Sequence, residues 1–377
     1  MWGVAPRRRA GRTAVPTHVC GDEISTMLRL AHHLVPSRLI GRRRALLTTL
    51  ASPTREVVGT ALHTGVTSSV RLCPSNEGIQ FVRTDLPGKP SIAADVSEVA
   101  STVLSTTIGH GEAQVSTVEH LMAALCGMGV RNCRVEVNAT ELPILDGSAA
   151  EWVAAIREAG LAPTAAAGRT DARGACTRYQ HAPVRATRVV LVEEGDSWAI
   201  ALPALSPRLT VGIDFPSHAS IGRQWASWAP DEMGCGSAFE RGAATITDAF
   251  AIDVAPARTF ALAEQLDALS ERGLIRGGSL ENALVCDASG WLNPSPLRFA
   301  NEPARHKLLD LMGDLALLGG TLPLAHVVAF RAGHRLHVAL AEAIAADAAA
   351  STAAGSTAGG GDYSWISDAV VSARRAA

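Results

Sequence analysis

The sequence lacks the cysteine pairs that build disulfide frameworks and cysteine-ligated zinc sites. Its seven cysteines are scattered along the chain, their number is odd, and no two of them form a Cys-x-x-Cys pair. Small secreted domains and zinc ribbons need such paired spacings, whereas isolated thiols are typical of a reducing intracellular compartment. A disulfide scaffold and a zinc site made of cysteines are therefore both disfavoured.

Excess basic charge and long apolar runs are missing as well. The formal net charge is -2 and the pI is near 6.6, so the chain presents no global basic field, and no nucleic-acid partner is expected. The longest apolar run, residues 315–330, is interrupted by Gly319, Gly320, Pro323 and His326, and it is shorter than the roughly 20 residues that a membrane-spanning helix requires. We expect no transmembrane segment.

The sequence does contain enough apolar material for a large core. Of its 377 residues, 47% are hydrophobic and the mean hydropathy is positive, which predicts a soluble globular protein. Two stretches, 55–161 and 183–345, each pass from strand-like to helix-like patterns, so we predict an α+β fold of two similar domains, each a layered sandwich of β-sheet and α-helix. Residues 162–182 are predicted to be a linker, and 346–377 a low-complexity tail.

The first 54 residues have a composition of their own. Nine arginines are interleaved with Ser, Thr, Ala and Leu, and Asp22 and Glu23 are the only acids. An arginine-rich, acid-poor segment without a continuous apolar core is typical of an organelle transit peptide rather than a secretory signal. We expect 1–54 to be a transit peptide that directs the chain to the mitochondrion. A plastid address and a disordered basic tail of the mature protein are the alternatives.

One helix-like stretch, 305–314, carries a polar stripe. His306, Asp310 and Asp314 recur every four residues and so fall on one face of an α-helix, while leucines and a methionine occupy the other faces. A helix this apolar is expected to be buried, and burying an imidazole with two carboxylates is costly unless a cation or hydrogen bonds satisfy them. A divalent metal would satisfy a His and an Asp together. A core helix with capped or paired polar residues explains the same pattern.

Two further stretches carry candidate catalytic groups. Glu119 and His120 stand side by side where a helix is expected to begin, but Ser116, three residues before Glu119, also fits a capping box in which Glu119 only caps the helix. His334 follows a glycine on a turn between a strand and a helix, which suits proton transfer and is also ordinary for a loop histidine. His63 either lines a site or is structural.

Short motifs are spread along the chain from about Arg55 to Ala345. They are Leu62-His-Thr-Gly65, Arg83-Thr-Asp-Leu86, Ser116-Thr-Val-Glu-His120, Pro143-Ile-Leu-Asp-Gly-Ser-Ala-Ala150, Ala257-Arg-Thr-Phe260, Arg305-His-Lys-Leu-Leu-Asp310 with Gly313-Asp314, and Gly333-His334. In this order they resemble one family closely, the zinc-dependent UDP-3-O-acyl-N-acetylglucosamine deacetylases, which carry out the committed step of lipid A synthesis.

The resemblance implies a metal site and the residues that act around it. The family's Zn²⁺ ligands match His120, His306 and Asp310, which leave a fourth position for a water whose pKa zinc lowers to about 7. Glu119 matches the general base that takes a proton from this water.

The resemblance also implies the residues that meet developing charge. Thr259 matches the donor that stabilises the oxyanion together with zinc, His334 the acid that protonates the leaving amine, and Asp314 the carboxylate that orients this acid. Lys307 matches a lysine that meets the substrate or the developing charge, and besides Lys89 it is the only lysine in the chain. A surface lysine with an apolar stem is the other interpretation of Lys307.

For the substrate, an acylated UDP-sugar, the resemblance implies a site between the two domains and a hydrophobic acyl passage formed by an insert at about 274–291. Phe260 is expected near the sugar, and His63 and Leu262 are further candidates for substrate contact. The chain departs from the family at Leu262, where many bacterial members have an aromatic residue, and at Arg335-Leu-His-Val, which lacks the usual polar residues. We expect a monomer.

Two other functions compete with this interpretation. A non-catalytic protein would keep the fold and the passage to bind an acylated sugar nucleotide or lipid, although every assigned catalytic position is filled by a competent residue. A zinc amidase for another acetylated sugar would keep the site and change the passage.

Overall fold

The computed structural model describes residues 48–164, 183–230, 246–353 and 371–373. Most of the predicted transit peptide, linker and tail therefore lies outside the described residues. Within these ranges, eighteen strands and six helices form several sheets with packed helices, so the fold is α+β, which confirms the predicted class. The predicted domain boundaries stay a prediction.

A five-stranded sheet and a three-stranded sheet are formed by the first part of the chain. Strand β1 (Thr48–Leu50) comes first and belongs to neither sheet. The strands of the two sheets are β2 (Val57–Thr60), β3 (Thr67–Pro74), β4 (Ile79–Arg83), β5 (Ser91–Ala93), β6 (Val99–Ser101), β7 (Thr107–His110), β8 (Ala113–Ser116) and β9 (Cys133–Val137). The larger sheet has the order β2-β3-β9-β4-β5 and the smaller one the order β6-β7-β8. In β4 and β9 every second side chain is buried, as expected for a sheet with one face on a core.

The second part of the chain forms a six-stranded sheet. The remaining strands are β10 (Leu161–Pro163), β11 (Val190–Glu194), β12 (Ser197–Pro203), β13 (Arg208–Phe215), β14 (Gly222–Trp228), β15 (Phe260–Leu262), β16 (Leu284–Cys286), β17 (Ala325–Phe330) and β18 (Val371–Ala373). The order of the sheet is β14-β13-β17-β12-β11-β18, with β13 and β17 parallel.

The helices of the described residues are α1 (Glu119–Gly127), α2 (Ala150–Ala159), α3 (Ile246–Asp253), α4 (Ala263–Glu271), α5 (Glu302–Leu315) and α6 (His334–Ala353). Helix α5 packs against α1, α6, β13 and β14. Its leucines are fully or almost fully buried and share one hydrophobic cluster with residues of both large sheets. None of these helices combines the length and the apolar character that crossing a bilayer requires.

Helices α1 and α5 approach each other closely at Gly313. A Cβ atom at this position would lie 2.0 Å from the carbonyl oxygen of Glu119. Only glycine allows a backbone to come this near, because every other residue would place a carbon there. The crossing sets the distance between the two helices that carry the candidate metal ligands.

Secondary structure of the described residues extends beyond 55–345 at both ends. Strand β1 lies inside the predicted transit peptide, pairs with β10 and buries Leu50, which is 1% exposed. The hydroxyl of Thr49 also donates to the carbonyl of Asn132, at 2.8 Å, so these residues are fixed to the fold. Strand β10 reaches into the predicted linker. At the other end α6 continues to Ala353, inside the predicted tail, because alanine has the highest helix propensity.

The predicted insert at 274–291 overlaps a strand–helix–strand unit made of β15, α4 and β16. The two strands pair in parallel, from Phe260 opposite Leu284 to Leu262 opposite Cys286. No residue of α4 is buried. A helix with no buried side chain contributes little to the core, whereas all three residues of β16 are buried, so α4 forms the outer side of this unit.

Candidate active site

The three predicted metal ligands meet at one buried point. His120 is in the first turn of α1, and His306 and Asp310 lie about one turn apart on α5. The Nε2 atoms of His120 and His306 are 3.6 Å and 3.3 Å from the Oδ1 atom of Asp310. One ligand atom from each residue lies within 4.8 Å of the others. Two nitrogens and one oxygen in this arrangement fit a divalent metal that keeps a position for a further ligand.

A hydrogen bond fixes the tautomer of His306 and the ring nitrogen that faces the candidate metal site. Its Nδ1 atom lies 3.0 Å from the carbonyl oxygen of Ala257. Because a carbonyl only accepts, Nδ1 carries the proton, and the lone pair of Nε2 is turned toward Asp310. Burial lowers the pKa of His306 to about 4, against the attraction of Asp310. The imidazole is thus held neutral, the form that binds metals.

Both oxygens of Asp310 have a neighbour. Oδ1 faces the two imidazoles, and Oδ2 accepts a hydrogen bond of 2.8 Å from the ammonium group of Lys307. Burial alone would raise the pKa of Asp310, but the attraction of His306 and Lys307 outweighs it and holds the pKa well below its ordinary value. The side chain of Lys307 is 19% exposed. Lys307 is thus partly exposed, and its ammonium is paired with a candidate metal ligand.

The predicted capping box at the start of α1 is wrong. The residue at the N-cap is Val118, which makes no side-chain capping bond, and Ser116 still belongs to β8. Between them Thr117 has a left-handed backbone with φ of 58°. This turn leads from strand to helix without the geometry that a capping box requires, so the carboxylate of Glu119 is free for another partner.

Glu119 instead points into the buried cluster. Its Oε2 accepts a hydrogen bond of 3.1 Å from the backbone amide of Thr106, and its Oε1 lies 3.7 Å from Nε2 of His334. Burial raises the pKa of Glu119, although the attraction of His334 and His120 opposes this. A carboxylate with a raised pKa beside a metal group is suited to accept a proton near neutral pH.

His334 and Asp314 form a hydrogen-bonded pair beside Glu119. His334 is the first residue of α6, and its Nδ1 donates to Oδ2 of Asp314 at 2.8 Å. Burial would lower the pKa of His334, but the carboxylates of Asp314 and Glu119 outweigh it and raise the pKa to about 9. For Asp314, burial would raise the pKa, but His334 and its hydrogen bond hold the pKa at about 2. At neutral pH the pair is therefore an imidazolium and a carboxylate.

Two residues that the sequence did not single out complete the surroundings of Asp314. The hydroxyl of Thr106 donates to Oδ1 at 2.6 Å, and Nδ1 of His337 lies 2.8 Å from Oδ2. Asp314, His334 and His337 are also close enough together to hold a metal ion, but both imidazoles already use Nδ1 on one oxygen. His334 and His337 are three residues apart on α6 and so lie on the same face of the helix, and this spacing could have identified His337 from the sequence. Nothing near Thr106 in sequence pointed to Asp314.

His63 is fixed by its backbone, while its ring has no partner. The amides of His63 and Thr64 each donate to the carboxylate of Glu141 at 2.8 Å. Both ring nitrogens of His63 are buried and lack a hydrogen-bond partner among the described residues. Burial lowers the pKa of His63, Glu141 opposes this, and repulsion by His334 reinforces it. The structure thus brings His63 near the His334–Asp314 pair.

Thr259 is anchored by its backbone to several parts of the fold. Its amide donates to the carbonyl of Gly147, and its carbonyl accepts from the amide of Leu284, both at 2.8 Å. The preceding residue, Arg258, donates from its amide and its Nε atom to the buried carboxylate of Glu302, at 3.0 Å and 2.9 Å. Glu302 begins α5, so the helix that carries two candidate metal ligands also holds the segment that carries Thr259.

The two remaining substrate candidates lie on β15. Phe260 packs edge-on against Phe215, with ring centroids 5.5 Å apart, and Leu262 is 9% exposed. Both come within three residues after Thr259, in the first strand of the strand–helix–strand unit, and neither belongs to the metal group.

Comparison with known proteins agrees with this arrangement. The family described as "LpxC: UDP-3-O-acyl N-acetylglycosamine deacetylase" matches residues 48–346. Proteins named UDP-3-O-acyl-N-acetylglucosamine deacetylase from Trichormus variabilis and Thermosynechococcus vestitus are each 48% identical to the chain, over 291 and 307 residues. These matches cover 76% and 78% of this chain and 94% and 95% of the relatives.

A plant relative extends the comparison. The Arabidopsis thaliana protein named "Probable UDP-3-O-acyl-N-acetylglucosamine deacetylase 1, mitochondrial" is 40% identical over 302 residues, which cover 76% of this chain and 84% of the relative. The family match and these relatives span the strands and helices that carry the candidate site. The chain therefore belongs to the UDP-3-O-acyl-N-acetylglycosamine deacetylases, a family of metalloenzymes.

Proposed function

We propose that the protein hydrolyses the N-acetyl group of UDP-3-O-acyl-N-acetylglucosamine in a zinc-dependent reaction and releases acetate, as a step of lipid A biosynthesis. One observation carries the proposal: a buried metal-binding group adjoins both a carboxylate and an imidazolium. The residues are His120, His306 and Asp310 with Glu119 and His334. Amide hydrolysis needs an activated water, an acceptor for its proton and a donor for the leaving amine.

We assign Zn²⁺ to His120, His306 and Asp310. Imidazole nitrogens and a carboxylate oxygen are typical ligands of a catalytic zinc, and the neutral, oriented ring of His306 supports this assignment. The ammonium of Lys307 occupies Oδ2 of Asp310, which leaves Oδ1 for the metal. When bound, zinc polarises the acetyl carbonyl and makes water acidic enough to attack near neutral pH.

Glu119 is the proposed general base. It accepts the proton that the attacking water loses, and the amide of Thr106 keeps its carboxylate in place through Oε2. Burial raises the pKa of Glu119, which makes its carboxylate a better proton acceptor.

His334 is the proposed general acid. It donates a proton from Nε2 to the amine nitrogen as the bond between this nitrogen and the acetyl carbon breaks. Asp314 accepts from Nδ1 and so orients the ring. The pKa of about 9 keeps His334 charged at neutral pH, where the leaving amine needs its proton.

Two residues are proposed to stabilise the negative charge on the acetyl oxygen. Thr259 donates its hydroxyl, and its backbone hydrogen bonds hold it relative to the metal group. Lys307 supplies a positive charge next to Asp310, where it meets the substrate or the developing charge.

We propose that the substrate is contacted by His63, Phe260 and Leu262. The unpartnered ring nitrogens of His63 are available to a hydroxyl or phosphate group of the sugar nucleotide. Phe260 and Leu262 offer apolar surface, and the chain continues from them into the unit around 274–291, which we propose as the passage for the 3-O-acyl chain.

The test is to purify the full chain, measure its zinc, and assay acetate release from UDP-3-O-acyl-N-acetylglucosamine and from its unacylated parent. We expect about one zinc per chain, release from the acylated substrate, and loss of activity with a chelator that added zinc reverses. Glu119→Gln is the matched control, because it should keep zinc and lose activity. Zinc without release from either sugar would indicate a binding protein, and release only from the unacylated sugar would indicate another amidase.

We also propose that the chain is mitochondrial and monomeric. The name of the Arabidopsis relative includes "mitochondrial", and the arginine-rich composition of 1–54 agrees with an organelle address. Residues 1–54 fused to a fluorescent protein should mark mitochondria, and accumulation in plastids instead would contradict this. Light scattering should give a mass no greater than the 39.2 kDa of one full chain.

A further inference from the structure

Two histidines meet at Asp314, and the proposed mechanism uses only one of them. The Nδ1 atoms of His334 and His337 both lie 2.8 Å from the same oxygen, Oδ2. The two rings stand at 80° to each other with centroids 6.0 Å apart, so neither blocks the other. His337 and Asp314 are both 0% exposed. A polar ring buried to this degree normally has a defined partner, and here the partner is the carboxylate beside the proposed acid.

The surroundings of His337 determine which proton it carries. Nδ1 must be the donor, because a carboxylate oxygen only accepts. Nε2 is buried and has no hydrogen-bond partner among the described residues, so a second proton there would leave an unsatisfied N–H in the core. Burial lowers the pKa of His337 against the pull of Asp314, in agreement with a neutral ring. His337 therefore stays neutral and donates a hydrogen bond from Nδ1 to Asp314.

We propose that His337 is a positioning residue for proton transfer, which together with Thr106 holds Asp314 in the orientation that keeps His334 directed at the leaving amine. Thr106 occupies Oδ1, so the two imidazoles share Oδ2. The inference rests on the proposed function, because it assigns a task to His337 within the same site. A carboxylate that already accepts two other hydrogen bonds attracts the proton of His334 less strongly than one that lacks them.

Titratable groups face His334 and His337 from several elements. They are Asp310, Asp314 and Lys307 on α5, Glu119 on α1, and His63 between β2 and β3. A change of side chain at position 337 leaves all of them in place. Besides the edge-on contact of the two rings, the link from position 337 to His334 is Asp314, the residue to which both histidines donate.

Three variants separate hydrogen bonding from packing. His337→Asn places an amide N–H near the former Nδ1, His337→Gln is also polar but places its amide farther out, and His337→Leu has no donor. In the zinc-loaded full chain we expect the Gln and Leu variants to move the alkaline limb of the kcat/KM profile upward by roughly half a pH unit or more. The Asn variant should stay within about 0.2 units of the unmodified chain.

NMR titration of the His334 ring in histidine-labelled protein supplies a second measurement, which needs no substrate. Its midpoint should rise in the Gln and Leu variants and stay in the Asn variant. An unchanged midpoint and limb in folded Gln protein, or equal shifts in Asn and Gln, would overturn the proposal. If the Leu variant does not fold, comparison of the Asn and Gln variants still tests the proposal. If the unmodified chain releases no acetate, the proposed function fails, while the titration still tests the role of His337.

Discussion

Substitution of Gly313 by alanine tests how strongly the site depends on the crossing of α1 and α5. The new Cβ would lie 2.0 Å from the carbonyl oxygen of Glu119 and 2.9 Å from its Cα. Real Cβ contacts are essentially never under 3.0 Å. Because the atoms in the way are backbone, no rotamer relieves the overlap, and the helices must separate by roughly 1 Å.

Stability and activity should respond to this separation to different degrees. Alanine gains about 1 kcal/mol of helix propensity over glycine, while overpacking costs about 1–3 kcal/mol, so the net loss of stability is about 0–2 kcal/mol. The two sides of the site, however, lie on different helices. A displacement of roughly 1 Å can cost about 100-fold in kcat/KM.

Zinc affinity measured by competition with a chromophoric chelator, together with kcat/KM and thermal unfolding, distinguishes these effects. Gly127→Ala is the matched control, because its Cβ would meet the ring of Phe250 at 2.4 Å, in the same helix α1 but away from the metal group. We expect Gly127→Ala to lower stability and keep zinc affinity, and Gly313→Ala to weaken both zinc affinity and activity. Wild-type zinc affinity and activity in Gly313→Ala would refute the reasoning.

Three further predictions concern pH, a buried ion pair and the start of the fold. His334 must be protonated to donate, so activity should be present below its pKa of about 9 and lost as the pH rises through it. A metal cation bound nearby lowers the pKa of His334 and so moves this loss of activity to lower pH. If the same loss of activity at high pH remained in the His334→Gln variant, the assignment of His334 as the acid would be contradicted. Glu302→Gln leaves Arg258 buried without its counter-charge and should lower the free energy of unfolding in urea by about 3–5 kcal/mol. Glu158→Gln, in an exposed pair, should cost about 1 kcal/mol or less. A chain that begins at residue 48 should melt at a higher temperature than one that begins at 55, because only the first keeps β1, and equal melting temperatures would contradict this.

The sequence correctly predicted which residues share a helix face, because the geometry of a helix relates residues three or four positions apart. The four-residue spacing of His306 and Asp310 placed both on one face of α5, and the structure has this arrangement. The third member, His120, came from the resemblance to a family and not from spacing. No periodicity relates a residue of α1 to residues of α5 nearly two hundred positions away.

The parts that sequence patterns missed depend on distant contacts or on the backbone. Thr106 and Asp314 are separated by 208 positions, and only the packing of the fold joins them. The capping box at Ser116 and Glu119 failed because Thr117 takes a left-handed conformation, which residue type alone does not predict. The three residues of β1, Thr-Thr-Leu, are too few to show a pattern of their own, and its pairing with β10 identifies it as part of the fold.

The pitch of α5 explains how one helix serves different parts of the site. Glu302, His306, Asp310 and Asp314 follow at intervals of four residues, and since an α-helix turns about 100° per residue, each interval exceeds a full turn by about 40°. Over three intervals the direction of the side chains rotates by about 120°. The first member therefore faces an anchoring arginine, the middle two face His120, and the last faces α6. Insertion or deletion of one residue in the middle of α5 would rotate everything after it by about 100° and separate metal binding from proton transfer.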